Sequence, residues 1–305
     1  MLTNNDIKTL EKLLSLSQEG TFKVMNQYLS QRYEKVTSAS KYIYAIGDIP
    51  VALVAHLDTV FPNGHKDLYY DHEKGVMFSP QGAGFDDRAG IFGIIKILSI
   101  GLRPHIILLT DEETGAHGAL ELIKDCPKPF APIKYLIELD RHGTNDCVFY
   151  ECDNKDFEKY IQSFGYTTAE GIFSDIYLIC PEWEIAGVNL SIGYQNEHTY
   201  SEILFVEDFL NSIGNIALML KDISNIETFK YIQKPINNHK LICTKCNKKV
   251  HAFEALPVLL KDDIGHKIVC SDCLDHTVSW CELCGRLFEK SKQDDAICFS
   301  CKKEV

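Results

Sequence analysis

The 305-residue chain contains no run of about 18 consecutive apolar residues, so no segment reads as a membrane-spanning helix. Its opening string, MLTNNDIKTLEKLL, lacks a basic region followed by an apolar block and a small-residue cleavage site, so neither export nor a membrane partner is expected and the reading is a cytoplasmic protein. A surplus of positive charge is also missing: the formal net charge is -12. Binding along a nucleic-acid backbone rests on Lys and Arg clusters that displace counterions, which makes nucleic acid an unlikely partner. There is no extended stretch of disordered composition, since 45% apolar and 24% charged residues are the proportions of a folded globular protein. The length suffices for one large domain with a buried core plus a small module.

What is present is cysteine, unevenly placed. Of twelve cysteines, Cys126, Cys147, Cys152 and Cys180 are scattered, while eight form CxxC pairs after residue 240. That spacing suits metal better than disulfides and fits a reducing compartment.

Apolar spacing over the first 30 or so residues (Ile7, Leu10, Leu13, Leu14, then Phe22, Met25, Leu29) predicts two short helices broken at Gly20. Five apolar runs then read as buried strands: YIYAI (42–46), VALVA (51–55), HIILL (105–109), YLIEL (135–139) and GVNLSI (187–192). Helical patterns lie between several of them, from Ala89 and from Ser201. Strands alternating with helices predict an α/β fold, a mixed central sheet covered by helices on both faces, with a small C-terminal zinc-binding domain. The expected organisation is a catalytic domain over 1–223, a polar linker containing Pro235 over 224–240, and a cysteine module over 241–305.

Histidines and acids fall at the carboxyl ends of the predicted strands, where ligands bind in open α/β sheets. VALVAHLDTV supplies His56 and Asp58, HIILLTDEETG supplies Glu112 and Glu113, and YLIELDRHG supplies Asp140; QGAGFDDRAG adds Asp86 and Asp87, and GYQNEHTYSE adds His198. Two histidines among several carboxylates have the chemistry for two zinc ions, each needing nitrogen and oxygen ligands and an open position. One carboxylate must bridge the metals, and another must pass a proton from the attacking water to the leaving amine. Adjacent Glu112 and Glu113 can divide such roles. Asp58, two residues beyond His56 on a strand end, can fix the imidazole tautomer. Each residue alone reads more simply as a turn or cap residue; five segments in workable order do not.

The strings AHLDTV, GAGFDDRAG, TDEETG, IELD and NLSIGYQNEHT, spread over about residues 50 to 215, resemble the co-catalytic di-zinc exopeptidases, which include peptidase T, zinc aminopeptidases and glutamate carboxypeptidase-like enzymes. The resemblance implies that His56 and Asp140 hold one zinc, Glu113 and His198 the other, and that Asp86 bridges them. It implies Glu112 as general base and Asp58 as orienter of His56, with a cis peptide bond between Asp86 and Asp87. Larger members insert a lid domain, for which the 57 residues between Asp140 and His198 leave no room. Tyr194 and Asn196 are candidates for lining the cleft, and Arg141 or His142 for contacting a substrate carboxylate or serving as loop residues. Asp175 in FSDIY is a candidate for binding a substrate amine, with a helix cap the simpler reading.

In the tail, Cys243 and Cys246, Cys270 and Cys273, Cys281 and Cys284, and Cys298 and Cys301 supply thiolates for two structural zinc ions. Pairing can be sequential or interleaved; the similar halves opening on CTKCNKK and CELCGRL favour sequential. Some 65 residues hold too little apolar core without metal. The tail's ten basic and ten acidic residues balance, so protein binding or a stabilising role is favoured over nucleic acid. The functional expectation is a zinc metallopeptidase, aminopeptidase or dipeptidase, with cobalt or manganese as alternative metals. N-acyl amino acid or small-amide hydrolysis at the same site, and a non-catalytic binding protein, are the competing readings.

Overall fold

The structure is a computed structural model that describes residues 2–61, 64, 66–223, 227–234, 241–250, 255–259, 266–270, 273, 278–280 and 287–289. The chain folds as two compact units, Met1–Lys234 and Pro235–Val305. No helix among the described residues is long and apolar enough to cross a membrane.

The first unit opens with helices α1 (Asn4–Ser15) and α2 (Gln18–Ser30), then strands β1 (Lys35–Ser38), β2 (Tyr42–Ile46), β3 (Ile49–His56), β4 (Tyr69–Asp71) and β5 (Val76–Phe78). Helix α3 (Phe85–Ser99), β6 (Pro104–Leu109), α4 (His117–Asp125), β7 (Tyr135–Arg141) and β8 (Asp146–Val148) follow. The unit continues through α5 (Lys155–Gln162), β9 (Thr167–Thr168), α6 (Asp175–Trp183), β10 (Gly187–Ser191), β11 (Tyr194–Gln195), β12 (Ile203–Phe205) and α7 (Val206–Lys221).

Eight strands form the central sheet in the order β1-β2-β6-β3-β7-β10-β8-β9. β6, β3, β7 and β10 are mutually parallel, and β2 and β8 run against them. Both faces are buried, as the continuous apolar runs require. Alternate residues divide between them: Ile43, Leu53, Ile106 and Ile137 pack on the face that receives α1, α2, α3, α5 and α7, while Tyr44, Val54, Ile107 and Leu136 pack toward α4 and α6. A smaller antiparallel sheet, β11-β12-β5-β4, flanks this core. Cys126, Cys147, Cys152 and Cys180 are buried free thiols.

Three boundaries differ from expectation. The helices at the start part at Leu16 and Ser17, not at Gly20; Ser17 caps α2 by accepting from the Gly20 amide, which lies inside the helix. The helix expected from Ser201 begins at Val206, because Ile203–Phe205 pair with Phe78, Met77 and Val76 of β5. The linker expected from 224 starts later. The Phe229 amide and carbonyl bond to Lys134 and Ala186, the Asp153 amide bonds to the Ile232 carbonyl, and the Phe229 ring lies 4.9 Å from that of Phe157.

In the second unit, β13 (Leu241–Ile242) pairs with β14 (Lys249–Val250), and β15 (Ala255–Leu259), β16 (His266–Cys270), β17 (Val278–Trp280) and β18 (Leu287–Glu289) form a sheet in the order β16-β15-β18-β17.

Candidate active site

Because β3, β6, β7 and β10 are parallel, their carboxyl ends share one edge of the sheet, and the site assembles there. His56 closes β3, Glu112 and Glu113 follow β6, Asp140 is the last residue but one of β7, and Asp86 and Asp87 lie in the first turn of α3. His198 comes from the loop between β11 and β12, at φ 61°.

Asp86 is the hinge of this cluster. Its Oδ1 lies 3.0 Å from His56 Nε2 and its Oδ2 3.1 Å from His198 Nε2. His56 Nε2 is also 3.4 Å from Asp140 Oδ1, and His198 Nε2 is 2.9 Å from Glu113 Oε1. Ligands of one tetrahedral zinc, at bonds of about 2.0–2.1 Å, stand about 3.3 Å apart. Asp86, Glu113 and His198 have ligand atoms all within 4.8 Å of one another, as do His56, Glu112 and Glu113. Asp87 is also close to His56 and Asp140, but its oxygens are engaged by the His56 amide (3.1 Å) and the Gly90 amide (3.0 Å). The Asp86–Asp87 peptide bond is cis, as the family resemblance implied.

Further polar groups hold each segment in place. Asp58 accepts from His56 Nδ1 at 3.2 Å and from the amides of Glu112 and Glu113, each at 3.1 Å, so one carboxylate orients the imidazole and the acidic loop together. Buried Glu202 accepts from the amides of Gly84 (2.6 Å), Phe85 (3.1 Å) and Asp86 (3.0 Å). Gly84 sits at φ 75°, a left-handed position that glycine adopts without strain. Asn189 on β10 clamps the Asp140 backbone, accepting from its amide at 3.0 Å and donating to its carbonyl at 2.8 Å. Asp111, at φ 59° before Glu112, is held by Gln18 and Lys41.

Charge follows from burial. Burial opposes ionisation of Asp86, but hydrogen bonds from His198 and His56 hold its carboxyl below the usual range. His198 is pushed up to about 11 by hydrogen bonds with Asp86 and Glu113. Asp140 is raised to about 6 by burial and the Asp86 carboxylate. Glu112 is raised to about 9 by burial, with Asp140, Asp175 and Glu113 adding to it against His56. Carboxylates outnumber imidazoles, and a buried excess of negative charge is stable only with positive charge beside it. The donor set therefore fits divalent cations.

A cavity of about 550 Å³ opens on the cluster and is lined by Asp86, Glu112, Glu113, Asp140 and His198, a size suited to a small ligand. Glu112's carboxylate has no hydrogen-bond partner among the described residues. Of the other sequence candidates, Arg141, His142 and Tyr194 line the cavity, and the Tyr194 hydroxyl donates to Asp140 at 3.1 Å. Asn196 is exposed and donates to the Ser201 carbonyl instead. Asp175 does not cap α6; Ser174 holds the N-cap position, and both Asp175 carboxylate oxygens are buried without a hydrogen-bond partner among the described residues.

Glu202, Asn189, Gln18 and Lys41 escape a sequence reading. Glu202 lies four residues beyond His198 in HTYSE, but as the segment is not helical, spacing gives no hint that its carboxylate turns back to Asp86.

In the second unit, Cys243, Cys246 and Cys273 have sulfurs within 4.8 Å of one another, the first two in the turn after β13. Cys270 ends β16 with its side chain outside the described set, and Cys281, Cys284, Cys298 and Cys301 lie outside the described residues.

No family model and no curated protein matches the chain. Solved structures do. A tripeptidase from Staphylococcus aureus superposes with a TM-score of 0.59 at 12% identity, covering 72% of this chain and 97% of that one. Aminopeptidase PepT from Bacillus cereus gives 0.57 at 13% identity over 72% and 98%. A TET aminopeptidase from a marine sediment archaeon of the Thaumarchaeota gives 0.59 at 11% identity over 73% and 98%. The chain has the fold of these aminopeptidases.

Proposed function

We propose that the first unit is a two-zinc exopeptidase that hydrolyses a terminal peptide bond, as an aminopeptidase or dipeptidase. The observation that carries this reading is the division of Asp86: one oxygen faces His56 and the other faces His198, in a cavity that Glu112 also lines, its carboxylate without a hydrogen-bond partner among the described residues. His56 and Asp140 would hold one ion, Glu113 and His198 the other, with Asp86 placed to serve both. Zinc bound there would supply polarisation of the scissile carbonyl and acidity of water near neutral pH. Glu112 takes the proton of the attacking water and delivers it to the leaving amine. Asp58 keeps the proton on His56 Nδ1, leaving Nε2 free to ligate. The fold shared with a tripeptidase and aminopeptidases supports a chain-end substrate. A scaffold without chemistry gives no account of an unpartnered carboxylate on the cavity wall.

In the second unit, the closeness of Cys243, Cys246 and Cys273 supports sequential pairing, with Cys270 completing a structural zinc site. The remaining four cysteines supply the second.

The test is hydrolysis of unblocked short peptides and of N-acylated amino acids by the zinc-loaded full chain and by Glu112→Gln. The expected result is peptide cleavage abolished by chelation, restored by zinc, and reduced roughly 10²–10⁴-fold in Glu112→Gln with metal content unchanged. Cleavage of acylated amino acids alone would move the substrate to small amides. Failure to cleave either class would sink the hydrolase reading.

A further inference from the structure

Arg141 is the only guanidinium or ammonium group among the described residues lining the site cavity, whose other charged walls include Glu112, Glu113, Glu170 and Glu197. An arginine in such surroundings ordinarily pairs with a carboxylate. This one does not. Its Nε is buried with no hydrogen-bond partner, and its guanidinium forms no ion pair among the described residues. Of the acids that share these walls, Glu197 bonds His142 Nδ1 at 2.6 Å and Glu113 faces His198 Nε2 at 2.9 Å. Arg141 is fixed from below: it ends β7, its carbonyl accepts from the Ile192 amide at 3.0 Å, and it directly follows Asp140, whose backbone Asn189 clamps. The half-buried side chain is thus anchored on a strand end next to Asp140, and its buried Nε donor is costly to leave unpaired unless a ligand completes it.

We infer that Arg141 forms a carboxylate-binding subsite that receives the free C-terminus of a short peptide, making the enzyme selective for dipeptides and tripeptides with an unblocked carboxyl end. This rests on the exopeptidase reading and deepens it. A guanidinium suits the role because it presents parallel N–H donors to both carboxylate oxygens, which an amide or ester end cannot match. The cavity's volume, about 550 Å³, accommodates a ligand of that size. No other guanidinium or ammonium group lines these walls among the described residues, so the fork that grips both oxygens of a free carboxylate comes from one place.

The test is calorimetric binding of one tripeptide, as the free acid and as its C-terminal amide, to zinc-loaded Glu112→Gln protein carrying Arg141, Arg141→Met or Arg141→Lys. Turnover of the same peptides by the wild-type enzyme is measured alongside. With Arg141 the free acid should bind about 10- to 100-fold more tightly than the amide. Arg141→Met should abolish that preference, and Arg141→Lys, which keeps the charge and loses the fork, should retain part of it. Equal binding of acid and amide with Arg141 present, or a preference that survives in Arg141→Met, overturns the inference. Absence of wild-type turnover instead counts against the peptidase reading, and the binding preference still decides the subsite.

Discussion

Glu202 shows how much of the site is held by groups that touch no substrate. Its two oxygens collect three consecutive amides, those of Gly84, Phe85 and Asp86, and so fix the entry to α3. Burial pushes its carboxyl up to about 7 despite those donors. Glu202→Gln keeps the shape but replaces one acceptor oxygen by an NH2 group, so an amide of the loop loses its partner. Zinc affinity should fall by roughly 10–100-fold while the circular dichroism spectrum is unchanged; unaltered affinity in a zinc titration would show that the loop holds itself. His105 offers a second residue-level test, away from the site. Its Nδ1 accepts from the Gly47 amide at 3.1 Å and its Nε2 donates to the Pro132 carbonyl at 3.2 Å, a pattern only the neutral ring satisfies. Burial lowers its pKa despite the Pro132 bond. A base whose folded-state pKa lies below its unfolded value of about 6.5 adds stability at higher pH, and that part is lost as the pH falls below 6.5. Urea titrations at pH 7.5 and 5.5 should therefore show a drop in wild type that is smaller in His105→Gln; equal drops would contradict the assignment.

Among the elements, α3 bears most directly on the site, because its first turn holds Asp86 and it crosses β7 closely. A Cβ at Gly90 would lie 2.3 Å from Asp87 Oδ1 and 2.4 Å from the Leu139 carbonyl, so the helix can approach the strand only with glycine there. Gly90→Ala should destabilise the fold by about 1–3 kcal/mol in chemical denaturation. A neutral effect would mean that α3 can shift without cost. The buried strands were legible because runs such as VALVA and HIILL are apolar on both faces and end in polar residues. Their neighbours His56, Glu112, Glu113 and Asp140 were legible for the same reason, being acids and a histidine placed where such strands stop. β12 was not: Ile203–Phe205 continue smoothly into the apolar spacing of α7, and only pairing with β5 separates them. The return of Phe229 to the first unit was hidden in the same way, by a polar setting that reads as a linker. The clamps at Glu202 and Asn189 depend on contacts between segments distant in sequence, which no local pattern encodes.

At the scale of the whole molecule, the proposed metals would serve the two units in different ways. In the first unit, the buried sheet supplies a core, so cations would be needed only for the proposed chemistry; in the second, the close approach of Cys243, Cys246 and Cys273 supports a structural metal. Cys246→Ser together with Cys273→Ser should accordingly lower metal content and the stability of the second unit while the first unit's melting transition persists, read as two transitions in calorimetry. A single transition lost as a whole would mean that the units fold together. The most direct test of the central claim, that one carboxylate joins two catalytic ions, is metal content by mass spectrometry in wild type, His198→Ala and Asp86→Ala. The account predicts about four zinc ions per chain in wild type, about three in His198→Ala and about two in Asp86→Ala. Asp86→Ala protein that keeps as many ions as wild type would contradict it.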